Sequence, residues 1–190
     1  MKNITIKTSI LGMVVIALFA FAPKVNKLTT TKTHIKFFST TAAENIEANN
    51  YKSVSTVNTQ TGDVVFSVPM QSFEFEKSLM QKHFNSSKFL DTKQFPKAKL
   101  IGKITNLSEI NFEKEGSYIA QVSGTLEMHG KSNPIKEKAT ITVKGGIINA
   151  SSKFNITLSD YEIAFEKGKP SRNIAKTVEI TMEAEYKKEN

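Results

Sequence analysis

The stretch SYIAQVSGTLEMHG, residues 117–130, has an apolar or small residue at every second position, and the positions between them are largely polar. Strict alternation places every second side chain on the same face of an extended chain, and an apolar face opposite a polar one is typical of a half-buried β-strand. The apolar face consists of Tyr118, Ala120, Val122, Gly124, Leu126 and Met128. The stretch therefore predicts a long strand whose buried face ends at Met128.

The same two-residue period recurs along most of the chain beyond residue 60. It occurs in the segments 64–70, 98–104, 139–143, 148–158 and 178–186. Turn-forming residues separate these segments at 61–63, 115–116, 130–134 and 145–146, and such short connections make successive strands antiparallel neighbours. We expect an all-β domain of about eight strands, either a two-sheet sandwich or a closed barrel, because periodicity alone fits both.

Two segments lack this period. In residues 74–96, Leu79, Met80, His83 and Phe84 recur at helical spacing. We predict a short helical insertion near residues 76–84 and an irregular piece to residue 92, before Pro96 returns the chain to extended structure. Residues 23–30 carry no periodicity and are predicted to be a linker.

The first 22 residues have the order of a secretory signal peptide. Lys2 and Lys7 precede an uncharged apolar run that begins at Ile10 and ends in Ala20-Phe21-Ala22. The run is shorter than the roughly 20 apolar residues that a membrane-spanning helix needs. We therefore predict a signal peptide over residues 1–22 and a periplasmic or secreted protein. The alternative is an uncleaved N-terminal anchor, because Pro23 directly follows the Ala-x-Ala pattern and disfavours cleavage there. Because the chain has no cysteine, it must be stable without disulfides.

The chain is basic, with 26 lysines and arginines against 18 acidic residues and a formal net charge of +8. The lysines are spread through mixed sequence, which is typical of a solvated surface. A second interpretation is attraction to an anionic membrane surface, which contributes about 1 kcal/mol per nearby basic residue. Nucleic acid is not an expected partner, because the chain has no binding motif for it and is predicted to be exported. No pattern specifies an oligomeric state.

Reactive side chains are scarce. The three histidines, His34, His83 and His129, lie far apart in the sequence, and no phosphate-binding loop, nucleophile elbow or zinc-binding H-E-x-x-H motif is present. His129 is out of phase with Met128 and is predicted to cap a turn from Gly130 to Pro134. Tyr161 is predicted to hold a strand crossover by a hydrogen bond. We therefore predict no enzyme, no catalytic residue and no metal site.

Small residues recur on the predicted buried faces, where a solid core more often has leucine, isoleucine or valine. They are Gly102, Ala120, Gly124, Ala139 and Ala150. The interior of an eight-stranded barrel is wide enough either to be filled by side chains or to hold one small ligand. Small inward residues are consistent with a ligand cavity, and also with the taper of a filled barrel.

The segment SFEFEKSLMQKHFNSSKFLDTKQFPKAKL, residues 72–100, resembles the YceI-like family of exported lipid- and polyisoprenoid-binding domains. The residues that match the family pattern are Ser72, His83, Ser86, Phe89, Asp91, Pro96 and Ala98. GTLEMHGKSNPI, residues 124–135, and LSDYEI, residues 158–163, are similar to two further family segments. Many family members carry an arginine-aspartate pair where this chain has Met80 and Gln81, which implies a differently built barrel mouth.

The resemblance implies a single YceI-like domain over residues 32–187, with an antiparallel up-and-down, lipocalin-like closed β-barrel. It also favours a hollow barrel that holds an isoprenoid, quinone-like or fatty-acyl chain, which gains about 0.8 kcal/mol per buried CH₂. The residues expected to line the cavity are Phe66, Val68, Leu100, Gly124, Leu126, Met128, Phe154, Ile156 and Met182. No cofactor is expected apart from such a chain. The alternative is a structural or interaction protein with a filled barrel and a basic surface.

Overall fold

The computed structural model describes residues 26–42, 44–163, 165–166, 169–170 and 174–187. The predicted signal peptide, residues 1–22, lies outside the described residues. No helix in the described part of the chain has the length and apolar character needed to span a membrane.

The described residues form β-strands joined by short connections and one α-helix. The strands in the first half are β1 (Lys27–Thr30), β2 (Thr33–Thr40), β3 (Asn45–Asn50), β4 (Val54–Asn58), β5 (Asp63–Pro69), β6 (Glu74–Phe75) and β7 (Lys97–Ile104). Those in the second half are β8 (Gly116–Met128), β9 (Lys131–Lys144), β10 (Ile147–Thr157), β11 (Phe165–Glu166), β12 (Lys169–Pro170) and β13 (Thr177–Lys187). The helix α1 (Ser78–Asn85) lies between β6 and β7.

Across the described residues, eleven strands form one curled antiparallel sheet in the order β1-β4-β5-β7-β8-β9-β10-β13-β2-β3-β6. Strands β11 and β12 pair separately. The predicted all-β class with one short helix is confirmed. The sandwich alternative is wrong, because a sandwich needs two stacked sheets and the long strands here belong to one. The closed eight-stranded barrel stays a prediction.

The longest ladder joins β8 to β9 from Gly116–Val143 to Met128–Lys131. Only His129 and Gly130 lie between the two strands, both with positive φ, at 52° and 72°. Positive φ at both central residues is the requirement of a type I′ hairpin turn. The predicted turn over residues 130–134 is therefore wrong. Pro134 instead lies within β9, paired with Thr125.

Residues 27–30 form a strand, so the predicted linker over residues 23–30 is wrong where the structure describes it. β1 pairs with β4, and its side chains alternate between exposed and buried, with Leu28 and Thr30 inward. The alternation is only two periods long and one inward residue is a threonine, so the sequence pattern is weak.

The first two strands meet at a break around Thr31 and Lys32. The Glu185 amide donates a hydrogen bond to the Lys32 carbonyl at 2.9 Å, and the Lys32 ammonium pairs with the Glu185 carboxylate at 2.8 Å. This contact holds the break against β13, beside the β2–β13 ladder. The Lys32 ammonium also lowers the pKa of the Glu185 carboxyl, chiefly through that hydrogen bond.

The predicted helix is confirmed with a small shift, as α1 spans Ser78–Asn85. The chain leaves the helix at Ser86, whose amide and hydroxyl both donate to the His83 carbonyl. Turns rather than further helix follow to residue 94. Phe84 is the buried residue of the helix. This one large side chain therefore packs α1 against the sheet, and we call α1 the cap.

Candidate functional site

A cavity of about 560 Å³ lies between α1 and one end of the curled sheet. Ligand pockets in proteins usually enclose about 300 to 1,000 Å³ and are lined mainly by apolar and aromatic groups. The apolar lining residues are Phe37, Ile46, Met70, Phe73, Phe75, Met80, Phe84, Phe89, Leu90, Met128, Ile156, Leu158, Ile163, Ile174, Val178 and Ile180. We call this space the main cavity. Its size and lining fit an apolar guest.

Phe84 is the centre of a cluster of phenylalanine rings in the wall of the main cavity. Its ring centroid lies 4.9 Å from that of Phe75, 5.5 Å from Phe73 and 5.8 Å from Phe37. Phe89 lies on a further side, at 6.1 Å. Aromatic pairs at these separations contribute about 0.5–1.5 kcal/mol beyond the area they bury. The cluster therefore anchors α1 to β2 and β6.

Two fully buried polar side chains hold the loops that carry this cluster. The Asn50 amide donates to the Pro69 carbonyl at 2.8 Å, at the end of β5. The Thr92 hydroxyl donates to the Asn85 side-chain oxygen at 2.8 Å, after α1. Both residues are 0% exposed, and a buried polar group without a partner costs about 1–3 kcal/mol. These bonds therefore fix where β5 and α1 end, which positions the aromatic wall.

Polar groups lie at the rim of the main cavity. Glu44, His83 and Lys88 line it and are exposed to solvent. Within α1, Met80 faces the cavity, and the Gln81 side-chain oxygen accepts a hydrogen bond from the Phe75 amide at 3.3 Å. Gln81 therefore ties α1 to β6 at the mouth. The arrangement can hold an apolar chain inside and a polar headgroup at the rim.

A second, smaller cavity of about 70 Å³ lies beside the splayed ends of β9 and β10. The β9–β10 ladder runs from Lys144–Ile147 to Thr140–Ser151 and stops there, after which the Ser152 hydroxyl donates to the Lys138 carbonyl at 2.7 Å. Tyr186 lines this cavity and its hydroxyl is hydrogen-bonded to that of Ser55. Burial raises the pKa of Tyr186 to about 12, although the bond to Ser55 acts against that shift.

Residues 19–186 match the family described as the YceI-like domain. The match covers nearly all of the described chain. This protein belongs to the YceI-like family.

Relatives by sequence include UPF0312 proteins of Pseudomonas putida. The protein from strain GB-1 is 36% identical over 64 residues, which is 34% of this chain and 30% of that relative. The protein from strain KT2440 matches with the same identity and coverage. The YceI-like chain thus matches these relatives over less than a third of their length.

Solved structures share the fold of this YceI-like chain. A polyisoprenoid-binding domain from Saccharophagus degradans, implicated in plant cell wall breakdown, has a TM-score of 0.72 at 15% identity and covers 87% of this chain and 100% of that domain. Burkholderia cenocepacia BcnA has a TM-score of 0.67 at 17% identity, with 80% and 94% coverage. The Campylobacter jejuni YceI protein has a TM-score of 0.56 at 14% identity, with 100% and 94% coverage.

The residues predicted to line a cavity divide between the two spaces of the YceI-like domain. Met128 and Ile156 line the main cavity. The residues that line the smaller cavity are Phe66, Leu100, Phe154 and Met182. Val68, Gly124 and Leu126 line neither of these two spaces. The sequence prediction thus missed the phenylalanines of β2, β6 and α1, although Phe84 and Phe89 lie in the segment that carries the family resemblance.

The five small residues that the sequence places on buried faces fall into two groups. Ala120, Ala139 and Ala150 line the smaller cavity. Gly102 and Gly124 instead face each other in the β7–β8 ladder. A Cβ atom on Gly124 would lie 2.3 Å from the Ile101 carbonyl oxygen and 2.5 Å from the Gly102 Cα. Gly124 is therefore required for the close approach of two strands, and its predicted role of widening the cavity is not supported.

The three histidines lie in separate environments. His129 is at the β8–β9 turn, where Nδ1 donates to the Tyr161 carbonyl at 3.0 Å and the ring packs on Phe95. His34 donates from Nε2 to Asn49 and stacks on Tyr51. Among the described residues, no group of three or more histidine, cysteine, aspartate or glutamate side chains converges as a metal ion would require.

Tyr161 is buried in a short 3-10 turn over Leu158–Tyr161. Two side chains of the β8–β9 hairpin donate hydrogen bonds to backbone carbonyls of this turn. Asn133 donates to the Asp160 carbonyl at 2.7 Å, and His129 donates to the Tyr161 carbonyl. The ion pair between Lys131 and Glu162, at 2.8 Å, lies beside these bonds. His129 therefore positions the turn that carries Leu158 into the main cavity.

Proposed function

We propose that this YceI-like protein is an exported binding protein that holds an isoprenoid, quinone-like or fatty-acyl amphiphile in the main cavity without chemical conversion. The observation that carries the proposal is the apolar space of about 560 Å³ with its phenylalanine wall. Each CH₂ group that moves from water into such a space gains about 0.8 kcal/mol. Binding of this kind needs desolvation only, and no reactive side chain.

The rim groups support an amphiphile rather than a plain hydrocarbon. Lys88, His83 and Glu44 are exposed polar residues that line the same cavity as the apolar groups. A polar headgroup can stay hydrated there while the chain is buried. A lysine at the rim favours a headgroup that accepts hydrogen bonds, such as a phosphate, carboxylate or quinone carbonyl.

A closed barrel is part of the proposal. Strands β1 and β2 are consecutive, with β1 paired to β4 and β2 paired to both β3 and β13. If β1 with β2, and β3 with β4, are each counted as one broken strand, the sheet has eight long strands. The first of these, β1 with β2, then pairs with the last, β13. This connectivity supports closure, which would separate a bound chain from water on all sides.

The solved relatives add support for the ligand class. The domain from Saccharophagus degradans that shares this fold is described as polyisoprenoid-binding. The predicted leader supports export to a compartment bounded by membranes, where such amphiphiles reside.

The first test is extraction of the protein after purification without detergent. We expect the organic extract to contain one class of long-chain amphiphile in stoichiometric amount, identified by mass spectrometry. Protein freed of that compound should take up an added isoprenoid or fatty acid. An empty extract together with no uptake of either would overturn the proposal.

The second test narrows the main cavity with a single substitution. Val178 lines the main cavity and is buried, so Val178→Phe should reduce uptake of the extracted amphiphile by about tenfold or more. The matched control is Val54→Phe, because Val54 is 38% exposed on β4 and lines neither cavity. Equal uptake by the two folded variants would contradict binding in the main cavity.

A further inference from the structure

The outer face of β7 is basic. Its side chains alternate strictly, with Ala98, Leu100 and Ile104 buried. The outward residues between and beside them are Lys97, Lys99, Ile101 and Lys103. Three of four consecutive outward positions on this strand therefore carry an ammonium group.

Strand β9 adds two more lysines to the same face. Lys136 and Lys138 are exposed, and the half-buried Ile135 and Glu137 alternate with them. Ile135, Glu137 and part of Lys138 line the smaller cavity. In register, Ser123 of β8 pairs with Lys103 on one side and with Lys136 on the other. Two strand spacings separate those lysines, so their Cα atoms lie about 10 Å apart. Long lysine side chains can bridge that distance to a shared anion.

These lysines are not neutralised within the protein. Among the described residues, none of Lys97, Lys99, Lys103, Lys136 and Lys138 forms an ion pair, whereas the neighbouring Lys153 pairs with Glu179. The acidic groups on or beside the face are Glu127, opposite Lys99, and Asp63, opposite Lys103. Five lysines of this face therefore stand against two carboxylates. An excess of positive charge therefore remains directed outward.

Two large apolar side chains lie on the same face. Ile101 is 52% exposed and Ile119, on β8, is 54% exposed. Ile101 lies between Lys99 and Lys103 along β7, and Ile119 is next to Gln121, which pairs with Lys138. Exposed isoleucines on a face that also carries lysines can enter the apolar boundary of a headgroup layer while the ammonium groups stay at its charged surface.

We propose that the outer face of β7–β8–β9, defined by Lys97, Lys99, Ile101, Lys103, Ile119, Lys136 and Lys138, docks onto an anionic lipid bilayer. We call it the basic face. The lysines attract phosphate groups of the headgroup layer, and Ile101 and Ile119 enter its apolar boundary. A bilayer is favoured over an acidic protein because the charges lie on β7 and β9, on either side of β8, and are accompanied by exposed apolar side chains rather than by a shaped pocket.

The test measures partition of the full chain to vesicles of phosphatidylcholine with and without phosphatidylglycerol as the minority lipid. Lys103→Gln with Lys136→Gln should weaken binding to the anionic vesicles by roughly 30-fold, at about fivefold per lysine. The matched control is Lys77→Gln with Lys82→Gln, which removes the same charge from α1 and the residue before it, neither of which belongs to the basic face. That control should change binding by less than about threefold.

A third variant separates a bilayer from a bare polyanion. Ile101→Ser should weaken vesicle binding several-fold and leave retention on a soluble polyanion, such as heparin, unchanged. Equal losses in the basic-face pair and in the α1 pair, binding that ignores phosphatidylglycerol, or retention on heparin without vesicle binding would each overturn the proposal. These outcomes are independent of the main cavity, because none of the substituted residues on the basic face lines it.

Discussion

Gly102 and Gly124 face each other across the β7–β8 ladder so closely that a methyl group on either one meets the opposite backbone. A Cβ on Gly124 would lie 2.3 Å from the Ile101 carbonyl oxygen, and a Cβ on Gly102 would lie 3.1 Å from that of Ser123. The contact atoms belong to the main chain of a central strand, which cannot rotate away. The pair therefore sets how closely β7 and β8 can pack where the sheet curls.

Gly124→Ala should lower the free energy of unfolding by about 2–3 kcal/mol or more, because forced overpacking typically costs 1–3 kcal/mol. Gly102→Ala has longer contacts and should cost less. Urea denaturation of both variants measures the difference. A Gly124→Ala protein as stable as the parent would show that the two strands separate easily.

Stability should depend on pH through Tyr186. Its pKa in the folded protein is raised to about 12 by burial, against about 10 for a free tyrosine. The folded state thus binds the proton more tightly, so this contribution is present below pH 10 and is lost as the pH rises from about 10 to 12, by about 3 kcal/mol in total.

The control for this pH effect is Tyr186→Phe. It removes the titrating hydroxyl and its bond to Ser55, whose own hydroxyl still donates to the Val65 carbonyl. We expect a loss of about 1 kcal/mol at neutral pH and a flatter decline in unfolding free energy above pH 10. If the unfolding free energy of Tyr186→Phe falls as steeply above pH 10 as that of the parent protein, the pH effect comes from other groups.

The turn residue His129 should tolerate asparagine and reject valine. At φ 52°, His129→Asn creates the asparagine-glycine pair that type I′ turns prefer, and unfolding free energy should change by less than about 1 kcal/mol. His129→Val places a β-branched residue in the left-handed region and should cost about 1–2 kcal/mol. Thermal melts of both variants test this, and equal melting temperatures would contradict it.

Phe84 should dominate the stability of the cap. Phe84→Ala removes the ring at the centre of the aromatic cluster and should cost about 3–5 kcal/mol. Leu79→Ala on the same helix is the control, because Leu79 is 61% exposed, and it should change stability by about 0.5 kcal/mol or less. Similar losses in the two variants would mean that α1 is held by contacts other than Phe84.

Much of the sheet could be predicted from the sequence, because period two is a local property of an extended chain. The segments around Leu126, Phe154 and Met182 were each predicted as strands and form β8, β10 and β13. The strands that were missed, such as β3 with the sequence NIEANN, are short and mostly polar. Pairing with neighbours holds them extended, and pairing leaves no local pattern.

The sequence by itself determined the all-β class, the α1 helix, the position of the β9–β10 turn at Gly145–Gly146 and the family. The tertiary structure decided which apolar residues enclose the main cavity, because Phe37, Phe75 and Phe84 come from separate elements that meet only when the sheet curls. It also decided what Gly124 and His129 do. The close backbone approach at Gly124 and the turn contact of His129 depend on partners in β7 and in the Leu158–Tyr161 turn, and a local pattern carries no information about such distant partners.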